Sequence, residues 1–280
     1  MLRSRLYLLA AAVLWSTAGA AVKLSTLSAW QLASGRSLVA ALVLALAFPA
    51  GRRLPSRRGL GVSVAYAATV VLFILANKLT TSANAIFLQD TAPLYVLLLS
   101  PLLLRERPTR GELAAVPVFL LGLSLFFLDR LAPGQLGGNL TALASGVAFA
   151  FTILGLRAAN EEGPVVLVWG NLIAGVSVLV PALGGPTPTP LDVGLLLFLG
   201  VFQLGLAYTL FTWGIRNTPA VEASLLILLE PVLNPVWTFL LAGEQPGPWA
   251  LVGGTIILIA TAWRTVLGAA SRRASAPSQG

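Results

Sequence analysis

Long apolar runs alternate with short polar gaps along the whole chain. A spanning helix needs about 20 largely apolar residues. Windows of that size predict ten, at 5–24, 30–50, 60–79, 83–104, 112–128, 138–157, 163–183, 191–213, 220–241 and 248–268. The fifth is the shortest and can extend to Leu131. No gap is long enough to hold a separate soluble domain. The pattern predicts an all-α integral membrane protein with ten transmembrane helices. The first run resembles a signal peptide, with Arg3 and Arg5 ahead of it and Ala18-Gly19-Ala20 at its end. It is longer than the usual apolar core of about 7–15 residues, so it reads as a retained helix. The tail "SRRASAPSQG" is small and polar and is expected to be disordered.

The two halves of the pattern repeat. "TTSANAIFLQDTAPLYVLLLSPLLLRERP" (80–108) aligns without a gap on "TPAVEASLLILLEPVLNPVWTFLLAGEQP" (218–246). Thr80 falls on Thr218, Ala85 on Ala223, Pro93 on Pro231, Glu106 on Glu244 and Pro108 on Pro246. Five spans per half is an odd number, so the second half enters the membrane from the opposite side. The expected organisation is a first five-helix repeat over 1–133, a second, inverted repeat over 134–268, and a tail over 269–280. Inverted repeats place a substrate site between them near the midplane and work by alternating access.

Charge orients the pattern. With the N-terminus in the cytoplasm, fourteen of the 18 basic residues fall in the even loops and the two tails. "GRRLPSRRG" (51–59) is the strongest such marker. Lys23, Lys78 and Arg130 fall outside, and Arg36 lies within a span. This is the positive-inside distribution. It predicts cytoplasmic N- and C-termini in a bacterial inner membrane. The net charge of +8 therefore marks topology, and no nucleic-acid reader accompanies it. Charged residues make up only 10% of the chain, against about a quarter in soluble domains. Cysteine and histidine are absent, which excludes disulfides, thiol catalysis, Cys/His zinc sites and histidine proton relays. No metal or cofactor is expected, and no nucleotide-binding loop is present.

The ten-span plan and the paired motifs resemble the drug/metabolite transporter superfamily, in its EamA branch. The marked positions are Ala83, Ala85, Pro93, Glu106 and Gly111, then Ala220, Ala223, Pro231, Glu244 and Gly253. "LAAAVLWSTAGAAVKL" (9–24) and Arg36 in "ASGRSLVAAL" (33–42) look like the family's first two helices. Within the branch the chain is most similar to the bacterial YddG-type amino-acid exporters. The resemblance implies helices around a central cavity and export of metabolites across the inner membrane.

Ionisable groups inside a bilayer are costly unless paired or wet, and so mark function or strong pairing. Arg36, Asp90 and Glu230 are of this kind. Pro93, three residues beyond Asp90, is expected to bend its helix and to turn that stretch towards a polar interior. Pro231 and Pro235 are the matching hinge candidates. Glu230, Asn234 and Trp237 share one helical stripe suited to recognition. Arg36 can clamp a carboxylate or neutralise Asp90 or Glu230, and the pairing is the favoured expectation. Lys78 is an alternative partner for Asp90. Trp15, Ser16, Tyr95, Trp169, Tyr208, Asn77 and Gln203 complete the candidate cavity lining, with Trp15 and Trp169 expected deep in the membrane. Trp30 and Trp249 fit the interfacial belt. Spans five and ten lack buried charge and read as scaffold.

The favoured function is export of amino acids, including aromatic and neutral ones, and related metabolites. Efflux of lipophilic cations is a second transport reading. A scramblase or membrane-embedded enzyme is the alternative of another class, although hydrolytic parts are missing. The expected partners are a small-molecule substrate and membrane lipids. Monomer and homodimer are equally compatible with the sequence.

Overall fold

A computed structural model describes residues 2–103, 110–125, 128, 135–158, 162–215, 218 and 226–275. The described residues are helical apart from short connections, and no strand occurs among them. The helices are α1 (Leu2–Ser16), α2 (Ala18–Leu24), α3 (Ala29–Ala47), α4 (Arg57–Leu79), α5 (Ser82–Gln89), α6 (Ala92–Leu103) and α7 (Arg110–Leu125). They continue with α8 (Gln135–Ala158), α9 (Gly163–Ser177), α10 (Leu179–Leu183), α11 (Pro190–Leu197), a π-helical segment (Phe198–Leu206) and α12 (Ala207–Ile215). The last two are α13 (Leu229–Ala242) and α14 (Pro248–Ser275).

Six segments are long and apolar enough to cross a membrane: Leu2–Leu24, Ala29–Ala47, Arg57–Leu79, Ser82–Leu103, Gln135–Leu156 and Pro190–Gly214. Val116–Leu125, Gly163–Ser177 and Pro248–Trp263 are shorter apolar helices. The difference from ten continuous spans has local causes. The seventh run breaks at Val178, and the start of the ninth falls in 219–225, outside the described residues. Glu106, Pro108, Arg130, Ala220 and Ala223 also lie outside them. Of the tail, residues 276–280 lie outside the described residues. The backbone of α14 stays helical to Ser275, because Arg and Ala are good helix formers.

Polar caps set the helix ends. Ser28 and Gln31 form a reciprocal capping box at the start of α3, and Thr189 and Asp192 do the same for α11. Gly243 takes the left-handed conformation that closes α13. The core holds Leu32, Phe73, Ile74, Ile86, Phe87, Phe119 and Ile257. Leu42, Leu46, Leu102 and Val180 point outward, as lipid-facing side chains do. Helix α1 packs on α12 and α13, so the first run is built into the bundle. Helices α7 and α14 pack on each other, which suits their scaffold reading.

The break between α5 and α6 falls at Asp90 and Thr91, just ahead of Pro93. Pro93 lacks the N–H that would continue the ladder. Thr91 instead returns its hydroxyl to the Leu88 carbonyl at 2.6 Å. Gly146 of α8 lies directly against this break. A Cβ there would stand 2.9 Å from the Gln89 carbonyl oxygen and 3.2 Å from that of Leu88. Gly146→Val is therefore expected to cost about 1–3 kcal/mol, the usual penalty of overpacking against unyielding atoms. Thermal unfolding in detergent checks this, with Gly137→Val, at a position with open space, as the control.

Candidate functional site

Among the described residues Arg36 is the largest fully buried side chain, at 1% exposure. Its Nη2 donates to the Val70 carbonyl at 2.9 Å, and its Nη1 to Gln203 Oε1 at 3.3 Å. Its Nε is enclosed and has no partner. No carboxylate lies within ion-pair distance of Arg36 among the described residues, so the expected pairing with Asp90 or Glu230 does not form. The reason is placement: Arg36 reaches the π-helical segment, whose wider turn presents Gln203 to it. Gly200 makes that approach possible, since a Cβ there would stand 2.9 Å from the Arg36 carbonyl oxygen.

An aromatic wall stands beside this cation. Tyr208 meets Trp15 edge-on at 4.9 Å between ring centroids and Tyr66 at 5.8 Å. Phe211 adds a contact to Trp15 at 5.2 Å. Asn171 Nδ2 donates to the Tyr66 hydroxyl at 3.1 Å. The Trp15 indole N–H is buried without an acceptor. A buried unpaired donor is costly and asks for an explanation. Two such donors are Trp15 Nε1, in this wall, and Arg36 Nε, within electrostatic reach of its Tyr66 and Tyr208.

The carboxylates approach from α5 and α13. Asp90 caps α5 at the break, and its Oδ2 is enclosed without a partner. Lys78, the other expected partner of Asp90, donates to the Ser25 carbonyl at 2.7 Å instead. Glu230 opens α13 and lies within the electrostatic reach of Asp90. Tyr208 lies within reach of both Glu230 and Arg36.

Other candidates sit elsewhere or are already engaged. Asn234 and Trp237 share the Glu230 stripe by spacing, but both link α13 to the N-terminal helices. Trp237 donates to Ser16 Oγ at 2.9 Å. Ser82 Oγ lies 2.8 Å from Asn77 Oδ1 and 2.9 Å from Asn234 Oδ1. One hydroxyl proton cannot serve both acceptors. Asn77 Nδ2 already donates to the Phe73 carbonyl at 3.0 Å. The Asn234 amide is therefore the one to turn, which gives its otherwise unpaired Nδ2 the Ser82 oxygen as acceptor. Tyr95 packs among Ala92, Val96, Ala150 and Leu154. Trp169 is a correction to the sequence reading: its indole donates to the Arg53 carbonyl at 2.8 Å, at the arginine-rich end rather than deep in the membrane. Pro93 and Pro231 lie in the first turns of α6 and α13, and Pro235 lies inside α13.

At the opposite end from Arg53, Lys23 pairs with Glu244 at 2.7 Å and donates to the Thr80 carbonyl at 2.7 Å. Glu244 Oε1 accepts from the Ser82 backbone N–H at 2.6 Å. Asp192 accepts from the hydroxyls of Ser25, Thr26 and Thr189 there. None of Lys23, Asp192 or Tyr66 was singled out by the sequence as a site residue. The "TPLD" capping box was a local signal for Asp192, but its partners 166 and 167 residues away were not visible.

A family model described as the EamA-like transporter family matches residues 2–128 and again 136–265. The chain belongs to the EamA-like transporter family. Among similar proteins is an uncharacterized transporter of Archaeoglobus fulgidus, 30% identical over 217 residues, covering 75% of this chain and 77% of that one. The uncharacterized transporter YwfM of Bacillus subtilis is 27% identical over 282 residues, covering 96% and 94%. A biotin transporter of Escherichia coli is 25% identical over 204 residues, covering 66% and 64%. A crystal structure with a TM-score of 0.67 and 22% identity covers 94% of this chain and 97% of its own, which extends the likeness to the fold. This EamA-like protein is therefore a multi-pass membrane transporter. Its Trp15 Nε1, Arg36 Nε and Asp90 Oδ2 are among the buried polar atoms left without a hydrogen-bond partner.

Proposed function

We propose that this EamA-like transporter exports amino acids and related carboxylate-bearing metabolites across the bacterial inner membrane by alternating access, in the manner of the YddG-type exporters. The observation that carries the reading is the unpaired Arg36 Nε, buried beside Tyr66 and Tyr208. A guanidinium N–H donor suits a substrate carboxylate, and Asp90 with Glu230 suits an ammonium group. Trp15, Tyr66 and Tyr208 offer apolar surface and π-faces to the part between. Biotin, the cargo named for the Escherichia coli relative, is itself a carboxylic acid.

Two features support the inverted repeat beneath this mechanism. The helix break at Asp90 and the turn at Leu228 fall at aligned positions of the repeated motif. The packing partners also map onto one another when the halves are exchanged. Contacts of α4 with α8 match those of α12 with α1, and α4 with α9 matches the π segment with α3. Contacts of α5 and α6 with α8 match those of α13 with α1 and α2. Each half thus leans on the other through equivalent surfaces, which is what rocking between two equivalent states requires.

The test is counterflow in proteoliposomes. Vesicles are loaded with one unlabelled amino acid, and entry of labelled Thr, Met, Trp, Lys or Glu is followed, with biotin and a lipophilic cation as further arms. Saturable exchange of amino acids is expected, and Glu230→Gln is expected to alter it without loss of folded protein. Exchange of biotin alone would replace the cargo, and exchange of the cation alone would replace the reading with drug efflux.

A further inference from the structure

A groove of ≈ 710 Å³ opens on the outside of the bundle between α4, α6 and α8. It shares no lining residue with the Arg36 site. Gly61, Ala65 and Ala68 of α4 and Ala144 and Ala148 of α8 form a recessed floor of small side chains. Exposed Phe151 and Leu103 line it as well. Among the described residues its one charged lining residue is Arg58. The Arg58 side chain is exposed and makes no hydrogen bond or ion pair among the described residues. Arg57 adjoins it, and Arg52 and Arg53 precede it at the same end of the bundle. From Arg58 to Ala68 the helix rises about 15 Å at 1.5 Å per residue. That is half of a hydrocarbon layer of about 30 Å, the depth of one leaflet.

We propose that this groove holds one acyl chain of an anionic phospholipid, with the lipid phosphate seated on Arg58. The floor is apolar and one leaflet deep, so it fits a tail that enters from its own leaflet. The charge lies at the headgroup end, where a guanidinium can form paired hydrogen bonds with phosphate oxygens. The neighbouring arginines favour a headgroup of net negative charge. A second copy of this chain fits less well, because a symmetric contact through the groove would bring Arg57 and Arg58 of the two copies together. The positive-inside orientation puts this lipid in the cytoplasmic leaflet.

Native mass spectrometry of the full chain, titrated with phosphatidylglycerol and phosphatidylethanolamine, tests this directly. One phosphatidylglycerol is expected to bind per chain, about fivefold more tightly than phosphatidylethanolamine, the preference of a single arginine at an anionic surface. Arg58→Gln is expected to keep a bound lipid and lose that preference. Gly61→Phe, placed where a Cβ meets nothing within 4 Å, is expected to fill the floor and lose the bound lipid of either kind. Equal binding of the two lipids by the unmodified chain, or an unchanged preference in Arg58→Gln, would overturn the headgroup assignment. Undiminished lipid binding by folded Gly61→Phe, or a dimer without bound lipid that this variant disrupts, would overturn the groove as an acyl-chain site. Arg58 is an exposed side chain, so its variant keeps the test decisive whatever Gly61→Phe does to folding.

Discussion

Arg36→Gln is expected to weaken transport of carboxylate-bearing substrates by roughly 10- to 100-fold while leaving the protein folded. A hydrogen bond to a charged group contributes about 1.5–3 kcal/mol, and each 1.4 kcal/mol is a tenfold change in affinity. Arg36 spends two donor groups on Val70 and Gln203 and leaves Nε free for a ligand. A glutamine amide can keep one of these two hydrogen bonds and removes a buried charge that has no counter-ion, so the two effects on the fold oppose each other. The readout is the KM for exchange, with thermal unfolding alongside. A normal KM for acidic and zwitterionic substrates in Arg36→Gln would remove Arg36 from the site and leave it a purely structural cation.

Asp192→Ala is expected to destabilise the protein by about 3–5 kcal/mol, from the loss of several charge-assisted hydrogen bonds at one buried point. The carboxylate is 1% exposed. It accepts from Ser25 Oγ at 2.7 Å, Thr26 N at 2.8 Å and Thr26 Oγ1 at 2.7 Å. It also accepts from Thr189 N at 3.0 Å and Thr189 Oγ1 at 2.7 Å. The Thr189 bonds cap α11, whereas the Ser25 and Thr26 bonds tie the α2–α3 turn to it. Alanine strands all of these donors at once. Asparagine keeps one acceptor oxygen but presents an NH₂ group where the other oxygen stood, so Asp192→Asn is expected to fall between. Melting in detergent with and without substrate measures both. A loss under 1 kcal/mol in Asp192→Ala would mean that water can replace the carboxylate there, contrary to its burial.

The parts of the molecule that depend on local pattern were legible in the sequence. The apolar runs gave helices, and Pro93 beside Asp90 foretold the break between α5 and α6. Spacing also placed Glu230, Asn234 and Trp237 on one face of α13. What spacing could not tell was what that face meets. Asn234 and Trp237 meet Ser82 and Ser16, and only Glu230 is left near Asp90. The choice of Arg36 partner was hidden for the same reason. The sequence offers Asp90 and Glu230 as mates, whereas the bond to Gln203 rests on a π-helical segment and a close glycine on a distant helix. Lys23 with Glu244, and Asp192 with Ser25, are bonds between residues far apart in the chain. Nothing in a single sequence marks such pairs. Helix continuity was overstated where Val178 interrupts α9, because an apolar run says nothing about the backbone conformation of one residue within it.

In the proposed mechanism one buried site takes a carboxylate at Arg36 and an ammonium at Asp90 and Glu230. The most direct measurement is competition in the counterflow assay. Exchange of a labelled amino acid is challenged with the same amino acid, its carboxamide, and its deaminated acid. Strong competition is expected from the parent alone, with losses of roughly 10-fold or more when either charged group is removed. The carboxamide penalty should vanish in Arg36→Gln, which no longer distinguishes acid from amide. Equal competition by all three compounds in the unmodified protein would contradict the account, because it would mean that neither charge of the substrate is read.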